Sequence, residues 1–126
     1  MRKLFRFKYE PCNGTCYCYE EIFYEELRGQ PHVSSLIDLV VQAHDNLCDN
    51  PDYSFGIDKC EFTGIFVGFF RTPTRTETYT AYTLTGCIKQ VCKDVIAEDI
   101  PVLEGVCNFG KSNTENLAEV IRKAVA

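Results

Sequence analysis

The stretch from Ser35 to Cys48 places the tightest limit on the fold. Leu36, Ile37, Leu39, Val40, Val41, Ala43 and Leu47 are apolar, while Asp38, Gln42, Asp45 and Asp49 make one narrow polar stripe at helical spacing. A helix with so thin a wet face has to be covered around most of its circumference. The chain must therefore build layers on more than one side of it. Ser35 and Asp38 read as a capping-box-like start, and Asn50-Pro51-Asp52 as the stop.

The flanking segments suggest what those layers are. Phe5, Phe7 and Tyr9 alternate with Arg6 and Lys8 over residues 3–10, the pattern of a half-buried strand. Asn13-Gly14 readily takes the positive φ values of a tight hairpin turn, and Thr15 to Tyr19 reads as the returning strand. Tyr19, Ile22, Phe23 and Leu27 then switch to helical spacing ahead of Gly29. Glu61 to Phe70 reads as a strand apolar on both faces: Phe62, Phe66 and Phe70 share one with Gly64 and Gly68, and Thr63, Ile65, Val67 and Phe69 share the other. That predicts a central strand covered on both sides. A loop with Pro73 leads to a partner strand over Glu77 to Thr85. Ile88, Val91, Cys92, Val95 and Ile96 fit a helix, Ile100 to Cys107 a strand, and Leu117, Val120, Ile121 and Ala124 a last helix opened by Ser112 and Glu115. The expected fold is α+β. It has a mainly antiparallel sheet in the order hairpin, helix, hairpin, helix, strand, helix, with the helices mostly on one face. The two hairpin-plus-helix units suggest a structural pseudo-repeat.

Length and composition agree with one domain over residues 1–126. The chain has 126 residues, 45% apolar and 25% charged, within the globular norm. No apolar run approaches the ~20 residues of a membrane helix. The charged start Met1 to Lys8 lacks a signal-peptide core, so the expectation is a cytoplasmic protein. The net charge is −5, and residues 9–52 hold nine acids against the single base Arg28. That balance argues against a nucleic-acid backbone as partner, which needs clustered Lys and Arg. An acidic segment of this kind is either a solvated face or a surface for a basic partner.

The eight cysteines stand at 12, 16, 18, 48, 60, 87, 92 and 107. In a cytoplasmic chain they read as thiols or metal ligands, with a disulfide within the Cys12, Cys16 and Cys18 trio as a lesser alternative. Cys12, Cys16 and Cys18 crowd the first hairpin tip. His44 and Cys48 lie four apart, on one face of the expected helix. Together these could complete a tetrahedral zinc site. The spacing departs from paired C-x2-C knuckles, and buried cysteine is equally at home in a core. Cys60, Cys87, Cys92 and Cys107 sit in apolar contexts and read as core.

Gly105-Val106-Cys107-Asn108-Phe109-Gly110-Lys111-Ser112 fits the phosphate-loop pattern and falls between an expected strand and an expected helix. Its amides, Lys111 and Ser112 could cradle phosphate. Hydrolysis would also need an acidic metal ligand on another strand, normally downstream, where little chain remains. The plainer reading is a turn at Gly110 and a helix cap at Ser112. In Arg71 to Thr80, every even position from 72 to 80 is Thr. Arg71 and Arg75 lie at the loop end, with Tyr79 and Tyr82 near. Arginine and tyrosine together suit a phosphate-bearing ligand or a protein hot spot. The plainer reading is a solvent-facing strand of good β-formers.

No set of residues converges on a reaction, since His32 and His44 sit in no catalytic motif. The sequence thus points to a non-catalytic binding or regulatory protein rather than an enzyme. It would mask a protein partner through the acidic segment or the Arg71–Tyr82 edge. One alternative is a binder of a small nucleotide-like anion, with Arg71, Arg75 and Lys111 on its phosphates, shared across a homo-oligomer. The other is a zinc-stabilised interaction module.

Overall fold

In a computed structural model the chain is described over residues 2–10, 14–19, 21–48, 50, 52–102 and 110–126, of which 2–10, 14–19, 21–22 and 110–117 by backbone alone. The elements are β1 Arg2–Glu10, β2 Gly14–Tyr19, α1 Glu21–Arg28, α2 Val33–Asn46, β3 Ser54–Lys59, β4 Phe66–Arg71, β5 Thr76–Ala81, α3 Leu84–Ala97 and α4 Gly110–Val125. The fold is α+β. The strands form one antiparallel sheet in the order β2-β1-β3-β4-β5. One ladder runs Tyr19–Phe5–Ile57–Gly68–Tyr79 and the next Cys18–Arg6–Gly56–Phe69–Thr78, with a register shift in β1 between Lys3 and Phe5.

The helices share one face of this sheet. Residues opposite each other in an antiparallel pair point to the same side, so Phe55, Ile57, Lys59, Phe66, Gly68 and Phe70 form a common surface. Three helices meet it. His44 of α2 stacks on Phe55 with ring centroids 4.9 Å apart. Glu26 of α1 accepts from Lys59 Nζ at 2.9 Å. Val91 and Cys87 of α3 lie over Gly68. The fourth helix, α4, packs on α1 and α2. Leu36, Ile37, Val40, Leu84, Ile88, Val91 and Val95 are buried between sheet and helices. α2 is thus lined by α3, α4 and the sheet, as its thin polar stripe requires.

Two polar side chains tie the helix layer together. Asn46 Nδ2 donates to the carbonyls of Val95 at 2.6 Å and Glu98 at 3.0 Å, which satisfies carbonyls left open where α3 ends. Asn50 Nδ2 donates to Pro101 O at 3.0 Å. Among the described residues no helix is long and apolar enough to cross a membrane.

Several expectations are corrected. β3 had no counterpart in the sequence reading, because Gly56 and Asp58 are poor strand formers. Ladders on both sides and the burial of Phe55 and Ile57 make it a strand. Glu61 to Thr63 is the turn before β4, so Phe62 does not share a strand face with Phe66 and is 94% exposed. β4 is interior to the sheet but has helices on one face only. A three-strand meander replaces the second hairpin, so no pseudo-repeat survives. Helix α2 begins two residues before Ser35, after His32 in the left-handed region at φ 58°, with no side-chain cap. Helix α3 opens as a capped helix should, Thr83 accepting from Gly86 N at 3.0 Å. Residues 100–102 are not strand, and Leu103 to Cys107 lie outside the described residues. Ser112 falls within the first turn of α4, so it does not precede the helix as a cap would.

Candidate functional site

With the helices on one face, the other face of β3, β4 and β5 presents Ser54, Gly56, Asp58, Val67, Phe69, Arg71, Thr76, Thr78 and Thr80. Register arranges them in rows: Ser54–Arg71–Thr76, Gly56–Phe69–Thr78 and Asp58–Val67–Thr80. The threonine run of the sequence therefore becomes a single column along the edge strand. Val67 and Phe69 are half-buried beside it, and every helix contact described above is made on the opposite side. The result is an apolar strip between arginine and hydroxyl groups.

The residues singled out from sequence are not brought together. Arg75 Nη2 donates to Glu98 Oε1 at 2.8 Å and its Nε to Glu77 Oε1 at 3.1 Å. These carboxylates hold its guanidinium charged above the ordinary arginine range, Glu98 contributing most. Tyr79 donates to Asp94 Oδ2 at 2.6 Å. Burial first, and this bond second, push its phenol well above the ordinary value. Both residues brace β5 against α3 and are engaged within the chain. Arg71 is different: it is exposed on the face away from the helices, and its guanidinium has no hydrogen bond or ion pair among the described residues.

Tyr82 is 87% exposed at the other end of β5. Because Phe66 pairs with Ala81, that end also carries the Phe62 turn. It lies about 17 Å along the strand from the Arg71 end. Lys111 and Ser112 open α4, in the helix layer, away from Arg71's face. Gly105 to Phe109 of the phosphate-loop match lie outside the described residues.

The proposed metal ligands are similarly spread. Cys12 lies outside the described residues, and Cys16 and Cys18 pair along β2 with Lys8 and Arg6. His44 is 4% exposed in the core. Burial lowers its pKa to about 3, so the imidazole is neutral at pH 7. Cys48 is past the end of α2 in the left-handed region at φ 55°, with Sγ 3.4 Å from Asn46 O. His44 and Cys48 therefore do not share a helical face, which corrects the sequence reading. Among the described residues no group of three or more His, Cys, Asp or Glu is placed to hold a metal.

Of the four cysteines read as core, Cys87 and Cys92 are buried. Burial pushes the Cys87 thiol up to about 12, and Cys92 higher still. Cys60 is not core. It starts the β3–β4 turn, where the Thr63 hydroxyl, with the Thr63 and Phe62 amides, holds its thiol below the ordinary range. Thr63 three residues on, followed by Gly64 at φ 73°, was the readable sign of that turn. Alkylation by iodoacetamide at pH 7.5, followed by peptide mass mapping, should modify Cys60 at least tenfold faster than Cys87 or Cys92. Equal rates would contradict this placement.

The acidic segment is partly neutralised within the fold. Glu26 is paired to Lys59 at 2.9 Å and Asp38 to Arg122 at 3.0 Å, while Glu25, Asp45 and Asp52 remain exposed. A pocket of about 380 Å3 is lined by Tyr24, Glu25, Arg28 and Ala124. Arg28 there donates to Ala124 O at 2.6 Å and Val125 O at 3.3 Å. It serves as a cap on α4, not as a free cation.

No protein-family model, no curated protein and no solved structure matches the chain.

Proposed function

We propose that this chain is a non-catalytic binding protein that engages its partner on the helix-free face of β3, β4 and β5. The observation that carries the reading is the Val67–Phe69 strip, bordered by Arg71 and the Thr76–Thr78–Thr80 column, on the side of the sheet away from the helices. An apolar centre with a polar rim is the ordinary make-up of a recognition surface. The acidic segment is a poorer candidate, because Glu26 and Asp38 are paired within the fold. Arg75 and Tyr79 are likewise occupied by Glu98, Glu77 and Asp94. Cys87, Cys92 and His44 are buried and His44 is a weak base, which fits binding better than turnover at those three positions; the lowered thiol of Cys60 lies in the β3–β4 turn, away from this face's Arg71 end.

The test is native mass spectrometry of untagged protein from the cells that make it, compared with Thr78→Glu/Thr80→Glu. Both positions are exposed, so the variant should melt within about 3 °C of the parent. The parent should carry additional mass that is lost on denaturation, and the variant should carry at least tenfold less. A parent without added mass, or a variant that retains it, would overturn the reading.

A further inference from the structure

We infer that Ser54, Arg71 and Thr76 form a subsite for a phosphate-sized oxyanion at one end of this face. The inference rests on the reading that the face is the binding surface, and it names the chemistry recognised there. Two independent observations meet at this row. Arg28, Arg75 and Arg122 all have carboxylate or carbonyl partners, but the exposed Arg71 guanidinium has none among the described residues. Directly across from it in register is Ser54, 8% exposed. Its hydroxyl has no hydrogen-bond partner and is closed off from solvent in this rotamer, so meeting an anion on the face takes a turn about its Cα–Cβ bond toward Arg71. Buried hydroxyls are almost always bonded, and an orphan is ordinarily completed by an ordered water or an ion. An orphan donor beside an unpaired guanidinium is completed best by an anion.

The spacing agrees. Neighbouring strands lie about 4.8 Å apart, so Ser54 and Thr76 flank Arg71 with their backbones about 10 Å from each other. A phosphate accepting a hydrogen bond of about 2.8 Å on each side spans about 8 Å. Arginine supplies a planar fork suited to two of its oxygens, and the serine and threonine hydroxyls supply one donor each. The Thr76 hydroxyl makes no hydrogen bond among the described residues. Within β3, β4 and β5, Asp58 is the acid of this face, two rows away at about 13 Å, and Glu77 belongs to the opposite side with Phe70. Arg6, in register with Gly56, occupies the adjoining row on β1.

The experiment is a calorimetric and thermal-shift titration with inorganic phosphate, using chloride at matched ionic strength as reference and adenosine monophosphate as a second arm. Phosphate should raise the melting temperature above the chloride reference in a saturable way. Arg71→Gln should weaken phosphate at least tenfold. Ser54→Ala should weaken it by about tenfold while leaving the phosphate-free melting temperature unchanged or higher, because it removes an unbonded buried hydroxyl. That opposition of sign is not expected of a purely structural serine. Binding of adenosine monophosphate with the same variant dependence identifies the source as a phosphomonoester, whereas binding of phosphate alone identifies the free ion; either supports the subsite. A parent indifferent to phosphate, or an Arg71→Gln or Ser54→Ala chain that binds as the parent does, overturns it. If phosphate fails while Thr78→Glu/Thr80→Glu still strips the partner mass, the subsite falls and the binding face stands. If the opposite holds, the face falls as a partner surface and the oxyanion subsite stands alone.

Discussion

Replacing Gly68 by alanine is expected to lower the melting temperature by about 10 °C. A β-carbon built at Gly68 would overlap Val91 Cγ2 and come within 3.2 Å of Cys87 Sγ. Neither can retreat easily. Val91 is fully buried and, as a β-branched residue in a helix, has one strongly preferred rotamer. Helix α3 would have to lift from β4. Overpacking of this kind costs about 2–3 kcal/mol, and in a chain of this size each kcal/mol is worth about 3–5 °C. The partner change is informative. Val91→Ala alone leaves a cavity and destabilises, but added to Gly68→Ala it makes room for the new methyl. The double variant should therefore lose less than the two single changes together, by at least about 1 kcal/mol. Calorimetry or circular dichroism melts of the four chains close the cycle. Additive losses would mean that α3 does not seat on Gly68.

That contact also shows where sequence reasoning stops. Gly68 was readable as a strand glycine, but the Val91 that excludes a side chain there comes from a helix on another part of the chain. Periodicity reports how one segment is covered, so the buried helix around Val40 and the α3 stripe of Ile88, Val91 and Val95 were legible. It cannot report what covers them. β3 escaped notice because Gly56 and Asp58 carry no strand signal, and pairing on both sides imposes the conformation. Phe62 was misplaced for the converse reason: its alternation with Phe66 looks like a strand, yet Thr63 and Gly64 turn the chain. At the candidate site, Arg71, Arg75, Tyr79 and the threonine column were legible as unusual residue types. Their separation was not. Glu98 and Asp94 claim Arg75 and Tyr79 through tertiary pairing, which leaves Arg71 as the one of these three side chains without a partner among the described residues. Nothing in the sequence distinguishes Ser54 from any other serine; only burial without a partner does so.

Acid should destabilise the protein through His44, starting above the range in which carboxylates titrate. In the folded state its pKa lies at about 3 because the ring is buried against Phe55 and water is excluded; in the unfolded chain it returns to about 6.5. Between those values the unfolded state binds a proton that the folded state refuses. Stability therefore falls as pH is lowered through this window and is complete above pH 6.5. The slope approaches about 1.4 kcal/mol per pH unit, so roughly 2 kcal/mol should be lost between pH 6.5 and pH 5. Urea unfolding at pH 7.5, 6.5, 5.5 and 5.0 measures the slope, and His44→Gln supplies the control. Glutamine is less stable at pH 7.5 because it packs less well against Phe55, but it cannot take up a proton. Its stability should stay level down to about pH 5 while that of the parent declines. Parallel curves for the two chains would mean that His44 is protonated as readily in the folded protein as in the unfolded one, and that the α2–β3 contact admits water.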